Sequence, residues 1–141
     1  MIRYSFVALT MLIIGCSDSD DTFPNDILEL TGTWLLVEQY ADPGDGSGDF
    51  VEVDSKKTIV FLQDATYRSN GQLCTMDSNT NANTFGSYVI KDTLTEFSNN
   101  NYLLPEGCDA EQRRIGIVLD AGSLMLTFPC IEGCAQKYIR I

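Results

Sequence analysis

The chain has 141 residues, with 20 acidic against 9 basic side chains, a formal charge of −11 and no histidine. That length suits one domain with one core. The acidity argues against nucleic acid as a partner, which demands a positive footprint, and the absence of histidine removes the commonest general base, the serine and cysteine triads and most transition-metal sites.

At the start, Met1-Ile2-Arg3 precedes an apolar run from Phe6 to Ile14. That run is too short to cross a bilayer, which takes ~20 residues of helix. One positive charge, a short apolar region and a small-residue exit read as a secretory signal peptide over residues 1–15. Ile13-Ile14-Gly15-Cys16 resembles the bacterial lipobox, in which the signal is cut before the cysteine and the cysteine is acylated. The resemblance implies lipidation at Cys16. Several acyl chains hold a protein stably on a membrane where one does not. Ser17 stands where an Asp signals inner-membrane retention in many lipoproteins. Ser17-Asp18-Ser19-Asp20-Asp21 reads either as an acidic tag for export to the outer cell face or as a solvated acidic tether. The expectation is an outer membrane lipoprotein, exposed at the cell surface of a Gram-negative bacterium, with residues 16–24 as tether and 25–141 as the folded domain. Cutting off Arg3 leaves the mature chain more acidic still, so the membrane contact must come from the lipid.

Next comes a short helical turn over Asn25 to Leu30, then a strand in "TWLLVEQY" with Trp34, Leu36 and Tyr40 on one side and Leu35 and Val37 on the other. "ADPGDGSGDF" carries only loop signals. "KTIVFLQ" and "TYRSNG" form a hairpin about Asp64-Ala65, and "MDSNTNAN" is a polar loop. "TFGSYVIKDTLTEFS" reads as two strands around Lys91-Asp92, and "NNNYLLPEGCDAE" as another loop. "RRIGIVLDAGSLMLTFPC" turns at Ala121-Gly122, and "AQKYIRI" closes the chain. Eight short alternating strands with turns between neighbours, and no sustained 3.6-residue stripe, predict an all-β fold: an eight-stranded antiparallel up-and-down barrel with a short N-terminal helical turn. The expected inward set is Trp34, Leu36, Ile59, Phe61, Tyr88, Ile90, Ile117, Leu119, Leu124, Leu126 and Phe128. Side chains this bulky favour a filled or nearly filled interior.

With Cys16 acylated, Cys74, Cys108, Cys130 and Cys134 remain, an even number that suggests two disulfides with three connectivities open. The preferred pairing is Cys74 with Cys108 and Cys130 with Cys134. Zinc is disfavoured, since there is neither a CxxC pair nor a histidine. In "DPGDGSGDFVEVD", Asp42, Asp45, Ser47 and Asp49 offer hard oxygen ligands of the kind calcium takes. An EF-hand register from Asp45 fails, because Phe50 falls on the glycine position and Lys56 on the bidentate glutamate. The loop therefore reads as a solvated acidic turn or a weak calcium site, and no other cofactor is implied. Arg113-Arg114 is the one adjacent basic pair, read either as an anion-orienting pair or as an exposed strand start.

Gly32-Thr33-Trp34, opening the first strand after a helical turn, resembles the GxW signature of lipocalins and lipocalin-like calycins. "FLQDATY", "GSYVIKDTLTEF", "LMLTFPCIEGC" and "KYIRI" follow in an order similar to the lipocalin-like lipoproteins of Gram-negative bacteria. The likeness covers about 110 residues from Leu30 onward. It implies that Trp34 plugs the closed end of the barrel and that Arg140 packs across it, both as structural residues. The implied function is a lipid-anchored cell-envelope binding protein, a monomer taking a small apolar ligand. The alternative is a surface protein-interaction or inhibitor module acting through its loops. Lysozyme-inhibitor lipoproteins belong to that class, but their SGxxY motif is missed in spacing at Ser69-Asn70-Gly71 and at Gly86-Ser87-Tyr88. With no histidine and no nucleophile-plus-base arrangement, no enzyme is expected.

Overall fold

A computed structural model describes residues 24–109 and 114–141. The signal segment, Cys16, the acidic tether up to residue 23 and Arg113 lie outside the described residues. The chain enters through α1 (Pro24–Leu30) and then runs through nine strand segments: β1 (Gly32–Ala41), β2 (Asp49–Glu52), β3 (Thr58–Phe61), β4 (Thr66–Ser69), β5 (Thr84–Val89), β6 (Tyr102–Pro105), β7 (Ile115–Asp120), β8 (Ser123–Thr127) and β9 (Cys134–Arg140). Each strand from β3 onward pairs antiparallel with the next, and β9 returns to pair with β1 from Trp34↔Arg140 to Ala41↔Cys134. The sheet is thereby closed.

The nine segments make eight barrel positions. β1 is ten residues long; its first part, Gly32–Leu35, pairs with β3, and its last part, Glu38–Ala41, pairs with β2 on the same edge. So β2 and β3 are two pieces of one interrupted strand, and the expected eight-stranded up-and-down barrel is the fold observed.

All eleven residues expected to face inward are buried, joined by Leu30, Tyr67, Leu73, Leu94, Leu103, Ile115 and Tyr138 in one continuous core. Alternation on strands carries this pattern, because odd and even residues face opposite sides of a sheet. Tyr40 departs from it. A register shift against β9 between Leu36 and Glu38 reverses the alternation, so that Gln39 lies beside buried Gln136 while Tyr40 lies over Ala135 on the outer face.

One strand lies elsewhere than the sequence suggests. The segment 93–98, expected as a strand, is a loop, and the fifth barrel position is filled by Tyr102–Pro105 from the stretch read as loop. Asn101 explains the difference. Its buried side chain accepts from the amides of Lys91 (2.9 Å) and Asp92 (3.0 Å) and donates to the carbonyls of Asp92 (3.0 Å) and Thr93 (3.1 Å). Those backbone groups are thus satisfied without a strand partner.

The β7–β8 hairpin turns on Ala121 (φ 46°) and Gly122 (φ 84°), the two positive φ values that a tight two-residue hairpin needs. Disulfides join Cys74 to Cys108 and Cys130 to Cys134, with Cα separations of 5.2 and 6.1 Å.

Candidate functional site

The two ends of the barrel are built differently. At the α1 end, the helix leaves carbonyls that need donors. Thr31 donates to Ile27 O through both its amide (2.9 Å) and its hydroxyl (2.7 Å), and Trp34 Nε1 donates to Leu30 O at 2.8 Å. Arg140 Nη1 donates to Thr31 O at 2.6 Å, and its Nη2 donates to Glu29 O. The same guanidinium lies 4.4 Å above the Trp34 ring. Gly32 must be glycine here, since it has φ 135° and a Cβ would come 2.6 Å from Arg140 Nη1. Trp34 and Arg140 thus pack on each other and bond to the helix and the turn after it at this end.

The barrel interior near the other end is polar. The Lys57 side chain is fully buried, and its Nζ donates to Gln72 O (2.6 Å), Gln136 Oε1 (3.4 Å) and Asp77 O. Tyr138 OH donates to Gln136 Oε1 at 2.7 Å, and Gln136 Nε2 donates to Asp77 O at 3.2 Å. This network holds the segment 72–77 over the barrel mouth, where Cys74 is also bonded to Cys108. Burial lowers the Lys57 pKa to about 8, the neighbouring Asp77 carboxylate opposing the shift. Sequence reading missed Lys57, since nothing local distinguishes it from the adjacent exposed Lys56; only the paired strands and the covering loop show it buried.

The acidic loop folds upon itself. Asp42 Oδ1 accepts from the amides of Gly44 (2.7 Å) and Gly46 (3.1 Å), Asp45 Oδ1 from Ser47 (3.0 Å) and Asp49 Oδ1 from Phe50 (2.8 Å). The amide of Gly44 holds the Asp42 carboxyl below the usual carboxylate range, and Ser47 does the same for Asp45. The three carboxylates serve the turn, and among the described residues no group of three or more acids, cysteines or histidines is placed to hold a metal ion.

Beside this loop an open concavity runs along the outer wall. Cross-strand partners align Phe50, Tyr40, Ala135, Thr127, Gly116 and Tyr102 in one row over five strand pairings. The middle of the row is low, because Ala135 and Gly116 add almost nothing above the sheet. A Cβ at Gly116 would overlap the Thr127 hydroxyl. Two grooves of about 520 Å³ each lie along this row and share Phe97, Thr127 and Phe128. Phe97 is 68% exposed and Ile131, at the tip of the disulfide-closed β8–β9 turn, is fully exposed. Arg114 stacks 4.6 Å from the Tyr102 ring at one end, and Tyr40 packs 5.4 Å from Phe50 at the other. The rim is acidic where Glu132 approaches the Gly44 turn. Arg114, half of the basic pair, therefore lines the groove. Of the acidic residues, Asp42 reaches it only through its hydrogen bond from Tyr40 (3.3 Å).

The groove sets exposed aromatic and aliphatic side chains around a shallow floor, braced by a disulfide and a self-bonded loop. No family model matches the chain, and no curated protein and no solved structure matches it.

Proposed function

We propose that the protein is a lipid-anchored binding module of the bacterial cell envelope that engages a partner protein through the outer groove around Phe97 and Ile131. A β-barrel fold is compatible with a binding protein. The observation that carries the finer reading is the contrast between inside and outside. The predicted inward set forms a single packed core, and the two grooves beside the acidic loop lie along the outer face of the sheet. Eight-stranded barrels either fill with side chains or hold one small ligand, and this one is read as filled. The interior apolar ligand implied by the lipocalin-like resemblance is therefore the second choice, and the protein-interaction alternative the first.

Orientation supports the same reading. β1 begins beside α1 and ends beside the acidic loop, and ten residues of strand span about 30 Å. If Cys16 carries the lipid, the groove stands at the end remote from the anchor. Binding rather than catalysis is the role assigned to it.

The test is cross-linking on intact cells carrying the native chain or a Phe97→Ser, Ile131→Ser double variant. The reading expects a discrete cross-linked partner that the double variant loses while its surface amount and its Tm are unchanged. A partner retained by the double variant would overturn it.

A further inference from the structure

Among the described residues the strand edge of β2 is free, and it lies next to the groove. β2 pairs only with β1. Val53 N donates to Val37 O at 2.9 Å, and the register continues through Gln39↔Val51 and Ala41↔Asp49. Backbone groups alternate in direction along an antiparallel strand. Asp49 and Val51 therefore turn their N–H and C=O toward β1, and Phe50 and Glu52 turn theirs away from it. The Phe50 amide is held by Asp49 Oδ1, while the amide of Glu52 and the carbonyls of Phe50 and Glu52 have no backbone partner among the described residues. The chain past Glu52 reaches β3 through residues 53–57, so β4, which pairs with β3, does not extend beside β2.

The edge has a defined charge. Glu38 and Glu52 are direct cross-strand neighbours, an unfavourable like-charged pair. Lys137 bonds Glu38 at 3.0 Å, and no cation pairs with Glu52 among the described residues. Asp49 and Asp54, both exposed, flank it. An acidic edge on a chain of net charge −11 repels a second copy of itself, as charged edges do in natural sheets. It attracts a strand carrying Lys or Arg opposite Glu52. Val51 is 65% exposed, so an added strand also finds an apolar side chain on the opposite face.

We propose that the free edge of β2 takes a basic, extended segment of a partner protein as an added strand, with a cation placed against Glu52. This rests on the reading of that end as the contact surface, and names how the partner docks there. Backbone pairing would supply the affinity, and alternate side chains the selectivity.

The experiment uses the full chain in detergent and three fluorescent eight-residue probes, read by anisotropy: alternating Lys-Val, alternating Glu-Val, and Lys-Val N-methylated along one edge. Expected are binding of the Lys-Val peptide, at least a tenfold loss with the Glu-Val peptide, and a similar loss on N-methylation, which deletes ladder donors without altering the protein. Glu52→Gln should weaken Lys-Val binding several-fold and reduce its salt dependence, with Leu28→Ser, an exposed position on α1, leaving it unchanged. No binding by the Lys-Val peptide, or equal binding by the methylated one, overturns the strand-addition proposal and leaves the groove reading to its own cross-linking test. Edge-type peptide binding together with a cellular partner indifferent to the Phe97 and Ile131 substitutions keeps strand addition and removes the groove.

Discussion

Replacing Lys57 by Met keeps most of the side chain's length and removes its charge from the barrel mouth. Lys57 Nζ meets three acceptors, of which Gln136 Oε1 keeps the Tyr138 hydroxyl and Asp77 O keeps the Gln136 amide. Gln72 O is the one stripped of its donor, at a cost of ~1–3 kcal/mol. Against that stands the cost of holding an ammonium ion in the interior, which brings its pKa from 10.5 to about 8. Between those values the unfolded chain binds the proton and the folded chain does not. Stability therefore rises with pH through that window, and is lowest with respect to this group below pH 8. At ~1.4 kcal/mol per pH unit, the full effect approaches ~3 kcal/mol. Burial raises the phenols of Tyr67 and Tyr138, so those groups destabilise the fold as pH climbs past 10, but equally in both proteins. The assay is urea unfolding of wild type and Lys57→Met from pH 7 to 10.5. The variant should be within about 2 kcal/mol of wild type at pH 7 and fall progressively behind it as pH rises. Parallel stability curves over the whole range would refute this account of the buried amine.

Arg140→Ala should cost about 1–3 kcal/mol in denaturant unfolding, since it removes a cation from the Trp34 face and the donors to Glu29 O and Thr31 O; Arg140→Lys should recover only part, because one ammonium cannot serve both carbonyls and the ring. Ala121→Gly should raise stability by about 1 kcal/mol, seen as a higher Tm, because glycine adopts the positive φ of this turn without the strain of a Cβ. Opening Cys74–Cys108 by paired alanines should cost ~4 kcal/mol and opening Cys130–Cys134 only ~2 kcal/mol, from the loop lengths alone; equal losses in chemical unfolding would contradict that ordering.

The barrel was legible in the sequence because alternation and turn residues are local signals, and a packed interior follows from the bulk of the alternating set. Three features depended on distant partners and so escaped. The segment 93–98 carries strand-forming threonines and a phenylalanine, but Asn101 satisfies the preceding backbone from within the loop, and Phe97 ends exposed on the outer wall. "YLLP" sits among asparagines, a proline and a glycine, and only the edge offered by β5 makes it a strand. "DFVE" was hidden in the same way by the glycine-rich stretch before it. The groove is less visible still. It needs the register of five strand pairings to bring Phe50, Tyr40, Ala135, Thr127, Gly116 and Tyr102 into line, and no motif in one segment encodes that row. Trp34 and Arg140 are the opposite case, since the resemblance at "GTW" and "KYIR" named both residues, and they meet across the α1 end.

The most direct measurement is native mass spectrometry of the full chain released from detergent, compared with the same sample after denaturation. A filled barrel with an external contact surface predicts one mass throughout, reduced from the free-thiol value by two disulfides. A discrete apolar mass that accompanies the folded chain and leaves on unfolding would contradict it and place the binding site inside the barrel.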